Sequence, residues 1–256
     1  MGGGGRTSDT CRRNGYGISK EIEMTGRLQV LAVSMLLLGS HGLALGGDTG
    51  SGAPIPFEVA RIHFEQNATD GDVEVVVEVE GGDEGMAKLA VVSPDGRTII
   101  DVTAPDATTL GIRQFLFESP EPEDVESLKS AYPEGVYSFS GATVAGDKLH
   151  GESRLVHSLP DTTAILQPET GARGVAASGL EITWSPIGNL SAYIINIEQD
   201  ALNVSLTARL PGSATGFAVP DGFLRPGTKY ELGIGSVGDD GNISFVESTF
   251  TTTGKK

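Results

Sequence analysis

Asp72-Val-Glu-Val-Val-Val-Glu-Val-Glu80 is the stretch whose reading decides the fold. Val73, Val75, Val77 and Val79 fall on one side of an extended chain, and Glu74, Glu78 and Glu80 fall on the other. That period of two predicts a half-buried β-strand. Working outward, the same alternation predicts strands at 57–65, 87–93, 97–102, 109–118, 136–144 and 148–156. Turn dipeptides separate them, at Asp70-Gly71, Gly81-Gly82, Pro94-Asp95-Gly96 and Gly146-Asp147. One helix is expected, at 123–132, where Val125, Leu128 and Tyr132 recur at helical spacing between Pro120-Glu-Pro122 and Pro133-Glu-Gly135. The fold class is therefore all-β.

The strands of 57–159, with the one short helix, describe an immunoglobulin-like sandwich without the signature of a particular family. Leu159-Pro160 through Gly179 changes texture, and Pro168, Gly171 and Gly174 read as a connection. Further strands are expected at 180–184, 192–198, 204–210, 229–236 and 244–252. In this half Leu180-Glu-Ile-Thr-Trp184-Ser-Pro186 resembles the second strand of a fibronectin type III domain, with its buried tryptophan. The run beginning at Tyr193 resembles the third strand. Leu224-Arg-Pro226-Gly227-Thr-Lys-Tyr230 is similar to the loop and tyrosine corner ahead of the sixth strand. The resemblance spans roughly 162–254 and implies a second sandwich over 160–256. Trp184, Tyr193, Leu224, Pro226, Gly227 and Tyr230 are then structural residues. No Arg-Gly-Asp tripeptide occurs, so integrin-type adhesion is not implied.

Ahead of the strands, 47–56 is a Gly/Ser/Pro-rich linker. Residues 24–46 have the layout of a secretory signal peptide: Arg27, an apolar run from Leu28 to Leu38, Gly39 and Gly42, then the small residues Ala44 and Gly46. The run is short of the roughly 20 residues a membrane span requires, and no lipoprotein cysteine follows it. Lys20-Glu21 can be encoded by a bacterial ribosome-binding sequence just upstream of Met24, so 1–23 are expected to be a mis-called extension. Cys11, the single cysteine, lies in that extension, which leaves no disulfide for the mature chain. The expected location is extracytoplasmic, either periplasmic or secreted.

A formal charge of −16 repels phosphate backbones and anionic lipid, so nucleic acid is not an expected partner. The same charge keeps an exported protein soluble. Gly233-Ile-Gly235-Ser-Val-Gly238 spells a dinucleotide fingerprint, but a strand follows it where a helix is required. Gly141-Ala-Thr-Val-Ala-Gly146-Asp147 lacks the lysine of a phosphate loop. His63, His150 and His157 read as surface residues. Asn67-Ala-Thr-Asp70-Gly-Asp72 is a candidate calcium loop, with oxygen ligands at Asn67, Asp70 and Asp72; the competing reading is a plain hairpin turn. No other cofactor is expected. Asn67, Asn189, Asn203 and Asn242 each head an N-glycosylation triplet, expected bare in a bacterium.

These readings converge on a non-catalytic exported binding or structural protein that works through sandwich loops or edges. Its partner would be a protein or a cell-envelope component. One alternative is a carbohydrate-binding accessory protein, for which only Tyr132, Tyr137, Phe115 and Phe117 remain as aromatics. The other is a metal-dependent hydrolase, which would need converging ligands that the sequence does not display.

Overall fold

The computed structural model describes residues 53–104, 111–122 and 124–254. The extension with Cys11, the signal-peptide segment and most of the linker lie outside these residues. In the first half the strands are β1 (Ile55–Pro56), β2 (Val59–Asn67), β3 (Asp72–Glu80), β4 (Met86–Val92), β5 (Thr98–Thr103), β6 (Gln114–Glu118), β7 (Gly135–Thr143) and β8 (Lys148–Leu155). The second half contributes β9 (Ile165–Gln167), β10 (Ala172–Val175), β11 (Glu181–Trp184), β12 (Ala192–Gln199), β13 (Val204–Pro211), β14 (Gly216–Ala218), β15 (Lys229–Val237) and β16 (Ile243–Thr252).

One sheet runs β1-β8-β7-β4-β5, and β2, β3 and β6 face it. Between the two layers lies a core of Ile62, Phe64, Val75, Val77, Leu89, Val91, Tyr137, Phe139 and Leu155. The helix α1 (Val125–Ala131) adds Leu128 to that core. Asp124 caps the helix, its carboxylate accepting from the Ser127 N–H at 2.8 Å. In the second half a three-stranded sheet, β14-β11-β9, faces β13-β12-β15-β16 across Trp184, Tyr193, Ile195, Ile197, Tyr230, Leu232 and Phe250.

The sequence reading differs from the structure at short strands. Ile55-Pro56 closes the linker as a strand, pairing in parallel with Leu149 and His150. Within the supposed connection, β9 pairs with β11, and β10 pairs in parallel with β16. Three- and four-residue strands beside Pro168, Gly171 and Gly174 are too brief to show a period of two.

The sequence reading is silent on how the two halves meet, and the structure joins them through one sheet. β16 pairs in parallel with β2, Ile243 to Glu65 through Phe245 to Asn67, so one sheet runs β13-β12-β15-β16-β2-β3-β6. Only three residue pairs form this seam, but side chains reinforce it. Asn242 is 1% exposed. Its Oδ1 accepts the Phe64 N–H at 2.7 Å, and its Nδ2 donates to the Val156 and Ser158 carbonyls at 2.9 and 2.7 Å. Ser244 donates to the Pro160 carbonyl at 2.7 Å and accepts from Gln66 at 2.8 Å. The Ala68 N–H donates to the Phe245 carbonyl, and the Glu247 N–H donates to the Thr69 hydroxyl. Joining the sheets also buries a second face of β2 and β3. Val76, on the glutamate side of its strand, is buried, and so are His63 and Glu65.

Candidate functional site

Tyr230 opens β15 with its ring in the core, stacked on Phe250 at 5.6 Å. Its hydroxyl accepts the Arg225 N–H at 2.8 Å. That bond pulls the loop from Leu224 to Gly227 back against the strand, with Leu224 buried and Gly227 at φ +70°. The Pro226 carbonyl accepts from the Thr228 hydroxyl at 3.3 Å. Trp184 and Tyr193 pack at 5.2 Å, and the Tyr193 hydroxyl accepts the Ile187 N–H at 2.8 Å.

The first half has a corner of its own, which sequence reasoning missed. Tyr137 is fully buried, and its hydroxyl donates to the Pro133 carbonyl at 3.0 Å. Burial pushes its phenol up to about 12. The available signal was a proline four residues ahead of a strand tyrosine, which Pro133 and Tyr137 share with Pro226 and Tyr230. Tyr137 thereby leaves the set of aromatics open to a sugar. Tyr132 and Phe115 are half-buried against the first core, while Phe117 is exposed.

The candidate calcium loop is the β2–β3 turn. Asn67 Oδ1 accepts the Thr69 N–H at 3.0 Å, and Asp70 Oδ1 accepts the Asp72 N–H at 3.1 Å. Both are turns closed by an Asn or Asp side chain on the backbone two residues on. Across the seam, Asn67 also bonds the Glu247 carboxylate. Among the described residues no group of three His, Cys, Asp or Glu side chains is arranged to hold a metal ion.

The histidines separate. His150 is exposed. His157 packs on Phe64 at 5.2 Å, and its Nε2 lies 2.8 Å from the Tyr132 carbonyl. His63 is buried, which corrects the surface reading; the continuous sheet closes over the face on which it alternates with Ile62 and Phe64. His63 Nε2 lies 3.3 Å from Glu65 Oε2. Burial, then the Arg61 charge, lowers His63 to about 3. Burial, then Glu118 and Glu78, raises Glu65 to about 8. Burial thus favours the uncharged form of both members of the pair, a protonated Glu65 beside a neutral imidazole.

The unfolded chain binds its protons near the reference values of 4.5 and 6.5. Raised Glu65 contributes stability that is lost as pH rises towards 8, and lowered His63 contributes stability that is lost as pH falls towards 3. The two effects cancel between the reference values. The pair therefore favours folding most near pH 4.5–6.5 and loses stability on each side of that window. Glu118, Glu198, Glu231 and Glu247 are also raised, chiefly by burial, and tilt the whole curve towards acid. Glu65→Gln isolates the pair, because it keeps a donor for His63 and cannot ionise. Urea midpoints at pH 5.5 and 8 are expected to fall less with pH in the variant; equal falls would contradict the raised Glu65 carboxyl.

The glycine-rich fingerprint is strand β15 and its turn. A Cβ on Gly235 would lie 2.7 Å from a Phe245 ring carbon, so this glycine makes room for an aromatic on the neighbouring strand. Asn242, the side chain that holds the seam, lies in a glycosylation triplet, and its burial leaves no room for a sugar. Nothing in its sequence surroundings distinguishes it from Asn189 or Asn203, which are exposed.

No protein-family model matches the chain, and no curated protein matches it. Similar solved structures are fibronectin type III structures. The FN1–FN3 domains of chicken CNTN1 are 11% identical over 78% of this chain and 65% of that one, with a TM-score of 0.33. A two-domain fibronectin type III segment of chicken tenascin is 13% identical over 77% of this chain and 99% of that one, with a TM-score of 0.30. The fibronectin(III)-like modules of Clostridium thermocellum CbhA are 11% identical over 77% and 92%, with a TM-score of 0.31. The chain spans just under two thirds of the CNTN1 structure.

Proposed function

We propose that this chain is an exported, non-catalytic binding or structural protein: two β-sandwiches, 57–159 and 160–256, that meet a protein or cell-envelope partner through loops and open strand edges. The observation that supports this reading is where the polar side chains go. Tyr137, Tyr193 and Tyr230 fix corners and loops, Asn242 and Ser244 fix the seam, and His63 and Glu65 hold each other. Chemistry-bearing groups thus serve the scaffold, and the seam joins the two sandwiches through one sheet. Among the described residues no helix is long and apolar enough to cross a membrane.

The β2–β3 turn is proposed to act without an ion, since its Asn67 and Asp70 oxygens face amide hydrogens. Adding calcium is expected to leave Tm unchanged in scanning fluorimetry. A rise that EDTA abolishes would make Asn67, Asp70 and Asp72 calcium ligands.

The function is tested by affinity capture, with residues 47–256 as bait against the source organism's envelope and with protein and polysaccharide both analysed. Saturable capture of a protein by purified bait is expected. Recovered polysaccharide would support the carbohydrate alternative, and an empty capture contradicts the binding reading.

A further inference from the structure

The open edge at β6 is the surface that the observations carry furthest. β6 is the last strand of the long sheet, and its far side faces no other strand among the described residues. The Gly81 N–H donates to the Arg113 carbonyl, and the Ser119 N–H donates to the Val75 carbonyl. Odd-numbered residues therefore turn their backbone groups towards β3, and Leu116 and Glu118 turn theirs to the open side. Natural edges are guarded by lysine, proline, bulges or inward charges. Phe115-Leu116-Phe117 carries no such guard, and Leu116 and Phe117 are 38% and 39% exposed. The Phe115 and Phe117 rings stack 6.4 Å apart on the core side.

We propose that β6 pairs antiparallel with β6 of a second copy of this chain, about a two-fold axis through Leu116. The sequence of the strand selects this occupant. With Leu116 facing its own counterpart, Phe115 faces Phe117 of the second copy, and Glu118 faces Gln114, a neutral amide. No like charges oppose, although Glu118 stands at the end of an acidic strand face. The backbone N–H and C=O of Leu116, already aimed outward, meet the same pair on the second copy. The four phenylalanine rings then form one ladder on the core-side face, a cross-strand aromatic arrangement that stabilises paired strands. Closed two-fold pairing of this kind uses the same patch on both copies and stops at a dimer. The net charge of −16 on each chain opposes the encounter, so salt strengthens the pairing.

This inference rests on the edge-binding part of the proposed function, and its test is separate from capture of a foreign partner. Sedimentation velocity of the purified protein is expected to show a dimer that grows with concentration and with added salt. Leu116→Lys opposes two ammonium groups across the axis and is expected to leave a monomer with an unchanged circular dichroism spectrum. Leu166→Lys, at an exposed leucine of β9, is expected to keep the dimer. In a Cys11→Ser background, Leu116→Cys places thiols on residues about 5.5 Å apart at Cα, within disulfide reach. Mild oxidation is expected to yield a covalent dimer. A wild-type monomer at every concentration and salt, a dimer that survives Leu116→Lys, or a dimer that Leu116→Cys fails to cross-link would each overturn the proposal. A monomer would leave capture of a different partner untouched.

Discussion

Asn242→Ala is expected to lower the unfolding free energy by about 2–4 kcal/mol, because it orphans one buried backbone N–H and strips two part-buried carbonyls of their donor. The Phe64 N–H loses its acceptor, and the Val156 and Ser158 carbonyls lose their donor. Asn242 ties β2 to the start of β16, and it ties both to the chain segment that leaves the first half. Alanine removes all three ties and leaves no group that could reach them. Asn242→Asp is expected to be no milder: it keeps an acceptor for Phe64, yet sets a carboxylate oxygen against two carbonyls. Urea unfolding of the two variants checks this. A loss below about 1 kcal/mol, the scale of one exposed contact, would mean that the asparagine is not what holds the seam.

Trp184→Ala is the second large effect, expected at about 3–5 kcal/mol from the cavity a fully buried tryptophan leaves. Trp184 is 1% exposed and packs on Tyr193 in the middle of the second core. Such a loss is a large fraction of a domain's stability, so the second half is expected to unfold first while the first core, which Trp184 does not touch, keeps its own contacts. The indole N–H has no acceptor among the described residues. Trp184→Phe is therefore expected to cost much less than the alanine variant, since it loses area and no hydrogen bond. Near-equal losses in the two variants, measured by near-ultraviolet circular dichroism during unfolding, would contradict the packing account.

How much of this was legible in the sequence follows from what periodicity encodes. The Val73 strand is legible to its end residues, because Asp70-Gly71 and Gly81-Gly82 bracket it. The corner at Tyr230 is legible because it is local, with donor and acceptor five residues apart. The seam is not local. Phe64 and Asn242 are 178 positions apart, and alternation says which face of β2 is polar without saying what lies over it. His63 and Glu65 therefore look like surface residues. Val75-Val76-Val77 carried a hint, since the middle valine breaks the alternation on the face that the continuous sheet buries. The short strands β9, β10 and β14 owe their existence to longer neighbours, and their own residues do not announce them. Of the candidate site residues, the core set could be named from motif and burial, whereas Asn242 could be found only in three dimensions.

Rigid coupling of the two sandwiches is the central claim, and nitrogen-15 relaxation of the residue 47–256 protein tests it most directly. A seam of paired strands with a buried asparagine requires β4 and β7 in the first half to tumble with the same correlation time as β11 and β15 in the second, and requires Asn242→Ala to separate the two values. Distinct correlation times in the unaltered protein would contradict the account, because the halves would then move as independent domains on a flexible tether.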